Sequence, residues 1–387
     1  MSSATEERLR SRIREQPLPG EGEAAARSWR VVEAALAERG PAGRPRRLVL
    51  RLALVTALLC AGLVAALTPA GAEVGDWIGD RFADRGDSAA PAFAGLPRGA
   101  SVLAISGSGA YAVHADGWRR LGAFSDAGWS PRGLHVVGVE GHRVVAVDRA
   151  GTRKWSVTRP GRVHNPAWGT GDGFVVAYLE GQVLRTVGGN GAGDRLLRRH
   201  AAAVTPAWRP LAGHVLTYAS TRGGLEAVDV DSGLTLWRVR PDAAAPARAL
   251  QWSHDGRRLA SLSARALTVL DADGRVLRAV ALPGSARQLA LHPSGRRAAV
   301  VVSGASGTRV IDVPLSGAGR PRQLFQGGVA GLAWSRDGRR LLLAWRDTDQ
   351  WLLLGSHGRV RRALHGVSAE LGATGGFPRV AGWCCPG

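Results

Sequence analysis

Hydrophobic and polar positions follow two regimes along the chain. From Leu52 to Leu67 the sequence reads LALVTALLCAGLVAAL without a charge, and the uncharged stretch runs on to Ala72. With Leu48 to Leu50 it reaches the roughly 20 residues that a bilayer-spanning helix needs. Beyond residue 98 the apolar residues come in short runs, cut by turns rich in Gly, Asp, Ser and Pro. That is the pattern of successive β-strands. The chain thus predicts one membrane helix followed by an all-β body.

The β body is periodic. An apolar residue, a Trp, a polar turn often closing on Asp-Gly, basic residues and an apolar strand recur in order. The unit appears as GWSPRGLHVVGV, AWGTGDGFVVAY, AWRPLAGHVLTY, QWSHDGRRLASL, ALHPSGRRAAVV and AWSRDGRRLLLA. Its markers are Trp129, Trp168, Trp208, Trp252, His292 in place of Trp, and Trp334, spaced by 39, 40, 44, 40 and 42 residues. A period near 40 built from short strands predicts four-stranded propeller blades. Within each unit a strand, an Asp/Gly turn and a second strand follow, as in VVAVDRAGTRKWSV and LEAVDVDSGLTLWRV. Asp and Gly tolerate the left-handed conformations of tight hairpins. The alternation of apolar and polar residues suits sheets stacked face to face around an axis.

The two ends of the array complement each other. Residues 101–124 supply three strands with no marker before them, and PRVAGWC at 378–384 supplies a marker strand around Trp383 with nothing after it. Joined, they make one blade, so seven markers predict a seven-bladed β-propeller over 98–387, closed by the C-terminal strand. Six blades with a decorating hairpin is the alternative. The markers resemble the WD-repeat and TolB-like propeller families. DVDSGLTLW (229–237) and DRAGTRKW (148–155) resemble quinoprotein-type repeats, from which Leu197 departs where a second Trp is expected. The marker tryptophans are expected to pack between blades.

Charge orients the chain. Arg44, Arg46 and Arg47 precede the span and Arg51 sits at its edge, whereas Glu73, Asp76, Asp80, Asp84 and Asp87 follow it. The positive-inside rule places 1–47 in the cytoplasm and all that follows the span outside. The expected organisation is a cytoplasmic tail 1–47, a transmembrane helix 48–70, an extracytoplasmic linker 71–97 and the propeller. Ala70-Gly71-Ala72 offers a signal-peptidase site, but the preceding region is long for a cleaved leader, which favours an uncleaved anchor. In the tail, residues 24–39 set Trp29, Val32 and Leu36 on one helical face, ending at Gly40-Pro41. Tails of this layout resemble those of single-pass anti-sigma regulators.

Composition bounds the chemistry. The 45% apolar content excludes a wholly disordered chain. Net charge is +20, with Lys154 the single lysine; residues 1–51 contribute +4, residues 73–95 contribute −3 and residues 96–387 carry +19. Outside a membrane such a surface faces acidic proteins or anionic envelope components, not nucleic acid. Cys60 lies in the apolar run. Cys384 and Cys385 are adjacent, which leaves a vicinal disulfide, a link between chains and a free pair all open. No catalytic, cofactor or metal-binding constellation is predicted. The run Gly188 to Gly193 is expected to be a loop between strands, since a phosphate cradle needs a helix N-terminus after it. Asp347-Thr348-Asp349 is expected to be a hairpin turn, because no calcium-loop spacing follows it. The function expected is a membrane-anchored binding or sensing scaffold. A propeller enzyme of quinoprotein or hydrolase type, and a sigma-factor regulator acting through the tail, are the alternatives.

Overall fold

A computed structural model describes residues 92–169, 175–240, 245–317, 319–355, 358–372 and 376–384. The tail with its helix 24–39, the span 48–70, Arg44, Arg46, Arg47 and Arg51, and residues 71–91 lie outside them. Among the described residues no helix is long and apolar enough to cross a membrane.

Seven four-stranded antiparallel sheets form the blades of a propeller, and the six-bladed alternative does not hold. Blades 2 to 7 are continuous meanders over 126–158, 163–198, 207–239, 249–281, 285–326 and 329–365. Blade 1 joins both ends of the array: strands at Ser101–Ser106, Gly109–His114 and Gly117–Gly122 follow a first strand supplied by Arg379–Cys384. Val102 pairs with Trp383 across that seam. The first strands of successive blades touch one another in an unbroken ring.

Seven hydrophobic clusters hold the ring, one at each boundary between neighbouring blades. In Ser101–Ser106, Val102 and Ala104 face blade 7, while Leu103 and Ile105 face blade 2. In Arg297–Gly304, Ala298, Val300 and Val302 face blade 5, while Ala299 and Val301 face blade 7. Side chains alternate across a strand, so burial on both faces demands an unbroken apolar run. The expected apolar–polar alternation therefore holds in outer strands such as Arg153–Thr158 and not in the middle ones. At the 7/1 seam Phe93 packs on Trp351 at 5.5 Å between centroids, and both are fully buried. The packing thus begins before residue 98.

Every outer strand slips register by one residue against its neighbour. Such bulges blunt exposed edges that would otherwise template pairing with other chains.

Trp351→Ala is expected to cost about 3–5 kcal/mol, the range for truncating a large buried aromatic. The midpoint of urea unfolding reads it; a cost within the scatter of surface substitutions would show that the seam does not hold the ring.

Candidate functional site

The meander brings two sets of turns to the same end of the ring: those joining first to second strands and those joining third to fourth. This end, the turn face, carries the repeat motif. In blade 5 the Ser253 hydroxyl donates to Asp255 Oδ1 and accepts from the Arg258 amide at 3.0 Å, while Asp255 accepts from the Arg257 amide at 3.1 Å. Gly256 turns the chain at φ +64°. Ser335, Asp337, Gly338, Arg339 and Arg340 repeat the arrangement in blade 7. The Ser335 hydroxyl and the Arg339 amide hold the Asp337 carboxyl below its usual range.

The markers are gripped by the preceding blade. Trp208 and Trp334 donate their indole N–H to Ala167 O at 3.0 Å and Ala290 O at 3.1 Å. Arg209 lies over Trp252 at 5.6 Å and Arg297 over Trp334 at 5.1 Å, while His135 is 6.1 Å from Trp168. Trp129 and Trp383 are half-buried against the 1/2 and 7/1 clusters. In blade 6 the structure corrects the register, since Leu291, not His292, occupies the tryptophan position. The His292 amide donates to Arg297 O, as Ser253 does to Arg258 O and Ser335 to Arg340 O. His292 therefore replaces the turn serine. Its Nδ1 accepts from the Ser294 amide at 3.2 Å, so Nε2 carries the proton and donates to Gly338 O at 3.0 Å. Burial pushes its pKa down.

Adjacent turns touch. Arg209 Nε donates to Gly256 O at 2.9 Å, and Arg258 donates to Gly295 O at 3.3 Å. A Cβ on Gly338 would lie 2.3 Å from His292 Nε2, so glycine is required there for contact as well as for φ.

The turn face divides into two sectors. Blades 2 to 4 are concave and carry exposed leucines beside the exposed Arg132 and Arg149. A cavity of about 500 Å³ is lined by Ser130, Arg132, Leu134, His135, Trp168 and the Gly188–Asn190 backbone, within the size range of ligand pockets. Across the same glycine turn a second cavity of about 370 Å³ lies against Val187, Ala192, Arg195 and Val230. Leu134 is 51% exposed, Leu234 66% and Leu211 87%, the last with φ +60°. Leucine in that conformation is strained by about 1–2 kcal/mol. Blades 5 to 7 are basic, with Arg257, Arg296, Arg336, Arg339 and Arg340 exposed.

The Gly188 to Gly193 run is a closed turn: the Gly188 amide donates to Ala192 O at 2.8 Å, and Trp155 of blade 2 donates to Gly189 O at 2.6 Å. Leu197 is buried at the 3/4 boundary, but the second-Trp position belongs to Arg195, which pairs with Thr186 as Trp155 pairs with Ala146 and reaches Val230 O at 2.6 Å as Trp155 reaches Gly189 O. Asp347 and Asp349 accept backbone N–H groups from Gly328 and Ser368, which ties the hairpin to its flanking loops. Ser101 Oγ lies 3.0 Å from His114 Nδ1, but that nitrogen also faces Ala100 O at 3.3 Å, and among the described residues no carboxylate hydrogen-bonds the ring. Among the described residues no group of three or more His, Cys, Asp or Glu is arranged to hold a metal ion. Cys384 is disulfide-bonded. In blade 3, Glu180 and Asp194 meet Arg185 and, from the loop before the blade, Arg159, and Tyr178 donates to Asp194 at 2.7 Å. That network is internally satisfied and staples blade 3 to the loop before it.

Sequence reasoning missed Leu134 and the cavities beside the glycine turn. The available signal was Leu134 itself, which stands where Arg257, Arg296 and Arg339 stand in blades 5 to 7.

The chain matches no protein-family model and no curated protein. Its fold is similar to the β-propeller domain of Cps50 (Swd1) from Myceliophteria thermophila. That domain is 16% identical, with a TM-score of 0.50, over 63% of this chain and 86% of that one. BamB from Moraxella catarrhalis is 17% identical, with a TM-score of 0.49, over 70% and 84% of the two chains. Identity this low shows the fold alone.

The lowered pKa of His292 fixes a pH dependence. A histidine held neutral by the fold contributes stability above its ordinary value of 6.5, and loses it as pH falls through the depressed folded value. Wild type should therefore lose more stability than His292→Gln on acidification below about pH 6.5, read by denaturant midpoints across pH. Parallel profiles would contradict the assigned tautomer and bond.

Proposed function

We propose that this chain is a membrane-anchored, extracytoplasmic propeller that binds a polypeptide partner on the apolar sector of its turn face. The observation that carries the proposal is the cavity of about 500 Å³ walled by Trp168 and rimmed by exposed Leu134. Two further exposed leucines, Leu211 and Leu234, stand on the same face, Leu211 in a strained conformation. Exposed apolar groups collected beside a concavity mark contact surfaces, and strain is kept where a function needs it. The propeller fold is compatible with a protein-binding scaffold.

Anchoring and topology rest on the sequence: the uncharged stretch within 48–70 and the arginines at 44, 46, 47 and 51. In this arrangement the tail helix 24–39 is the element through which a bound state is reported to the cytoplasm.

A photo-crosslinking amino acid at position 134, in the full chain in its own cells, is expected to give discrete polypeptide adducts. The same probe at Leu277 on the outer rim should give none. Identical adducts from both sites, or none from 134, would overturn the binding-face assignment. Protease added to intact cells should degrade the propeller and spare the tail; a protected propeller would reverse the topology.

A further inference from the structure

We propose that the basic sector of the turn face is the second half of the same docking surface, and that it takes an acidic stretch of the polypeptide partner. This rests on the reading of the apolar sector as a polypeptide-binding face, and it adds the chemistry of the partner.

The arginines form a built row. Arg257, Arg296 and Arg339 each follow the turn glycine directly, at Gly256, Gly295 and Gly338, so they hold the same place in three consecutive turns. Those turns abut: the His254 amide donates to Pro293 O at 3.0 Å, Arg258 reaches Gly295 O, and His292 reaches Gly338 O. The backbone under the row is thereby fixed, and the three guanidinium groups project from neighbouring, mutually braced turns.

The charge in this sector is only partly offset locally, by Asp255 and Asp337 in the same turns and by Asp271 and Asp273 in the outer turn of blade 5. The side chains of Arg257, Arg296, Arg336 and Arg340 make no salt bridge among the described residues, and Arg339 reaches Asp337 only at 4.0 Å. Asp255 and Asp337 are the acids of these turns, and each is engaged by its own serine and backbone amide. In blade 6 Ser294 stands at the aspartate position, so the middle of the row has no acid in its turn. Arg297, by contrast, is bound to Asp312 at 3.0 Å, which separates structural arginines from presented ones.

Two features favour a polypeptide over a lipid surface or an anionic polymer. The row shares its face with a defined cavity and exposed leucines, which a ligand offering only negative charge leaves unused. Guanidinium forks also match carboxylates bidentately, and a peptide presents carboxylates and an apolar anchor on one chain. Long-range attraction to the row speeds encounter, and the cavity then fixes register.

The test uses the full chain in detergent and a fluorescent peptide made of a glutamate run, a Gly-Ser spacer and a Leu-Trp anchor. The combined Arg257→Glu, Arg296→Glu and Arg339→Glu variant should weaken binding by roughly tenfold or more, each reversed pair contributing modestly. The milder Arg→Gln triple should weaken it less but in the same direction. A control triple away from the turn face with the same net charge, Arg119→Glu, Arg265→Glu and Arg361→Glu, should leave affinity within about twofold. Equal losses from both triples would show that overall charge alone binds the peptide and would overturn the proposal. It is equally overturned if a glutamine-substituted peptide binds as well, or if polyphosphate or phosphatidylglycerol vesicles bind more tightly than the peptide with the same dependence on the row. Leu134→Asp separates the two readings, because it should weaken the anchored peptide and not a glutamate run alone. If only the arginine variants matter, the basic row stands and the apolar docking face falls.

Discussion

The middle strands of these blades are apolar on both faces, so each blade needs a neighbour on either side. Val102 and Ala104 cannot be buried without blade 7, nor Leu103 and Ile105 without blade 2. Repeated at seven boundaries, that requirement has one economical solution, which is a closed ring. Closure falls to the C-terminal strand, which fills the vacant inner position of blade 1 and buries Val380 against blade 7. The two ends of the array are thus held by the same packing that holds its middle.

A ring stabilised this way leaves its turns free to vary. The inner and middle strands are fixed by packing, and the outer strands are blunted by bulges. The turn face keeps a shared scaffold of Ser, Asp and Gly contacts, but the side chains above it differ by sector. Leu134, Leu211 and Leu234 stand on blades 2 to 4, and arginines stand on blades 5 to 7. The same fixed backbone positions therefore offer apolar contact on one side and charge on the other. His292 shows how far the scaffold tolerates substitution: an imidazole replaces a serine hydroxyl yet still bridges to the next turn.

The fold was legible because the Trp-turn-strand unit carries inter-blade packing, and packing recurs at the blade period. Trp208 and Trp334 are spaced by the ring because each must reach the blade before it. Blade 6 was misregistered by one residue because an aromatic-looking side chain was matched to an aromatic position, whereas Leu291 does the packing and His292 the turn bonding. The candidate site was far less legible. Its cavity joins the Ser130–His135 turn of one blade to the Gly188–Asn190 turn of the next, and no local pattern links them. The Gly188 to Gly193 run signalled a turn, but not that its missing side chains open concavities on both sides. The span, the tail and the orienting arginines were read from charge and hydropathy and lie outside the described residues.

Mutual burial around a closed ring is tested most directly by native-state hydrogen exchange on a chain lacking the last strand, Arg379–Cys384. If the ring is held only as a whole, protection in the second and third strands of all seven blades falls together, and to the same extent. Loss confined to blades 1 and 7, with full protection kept in blades 3 to 6, would contradict it and make the blades independent of closure.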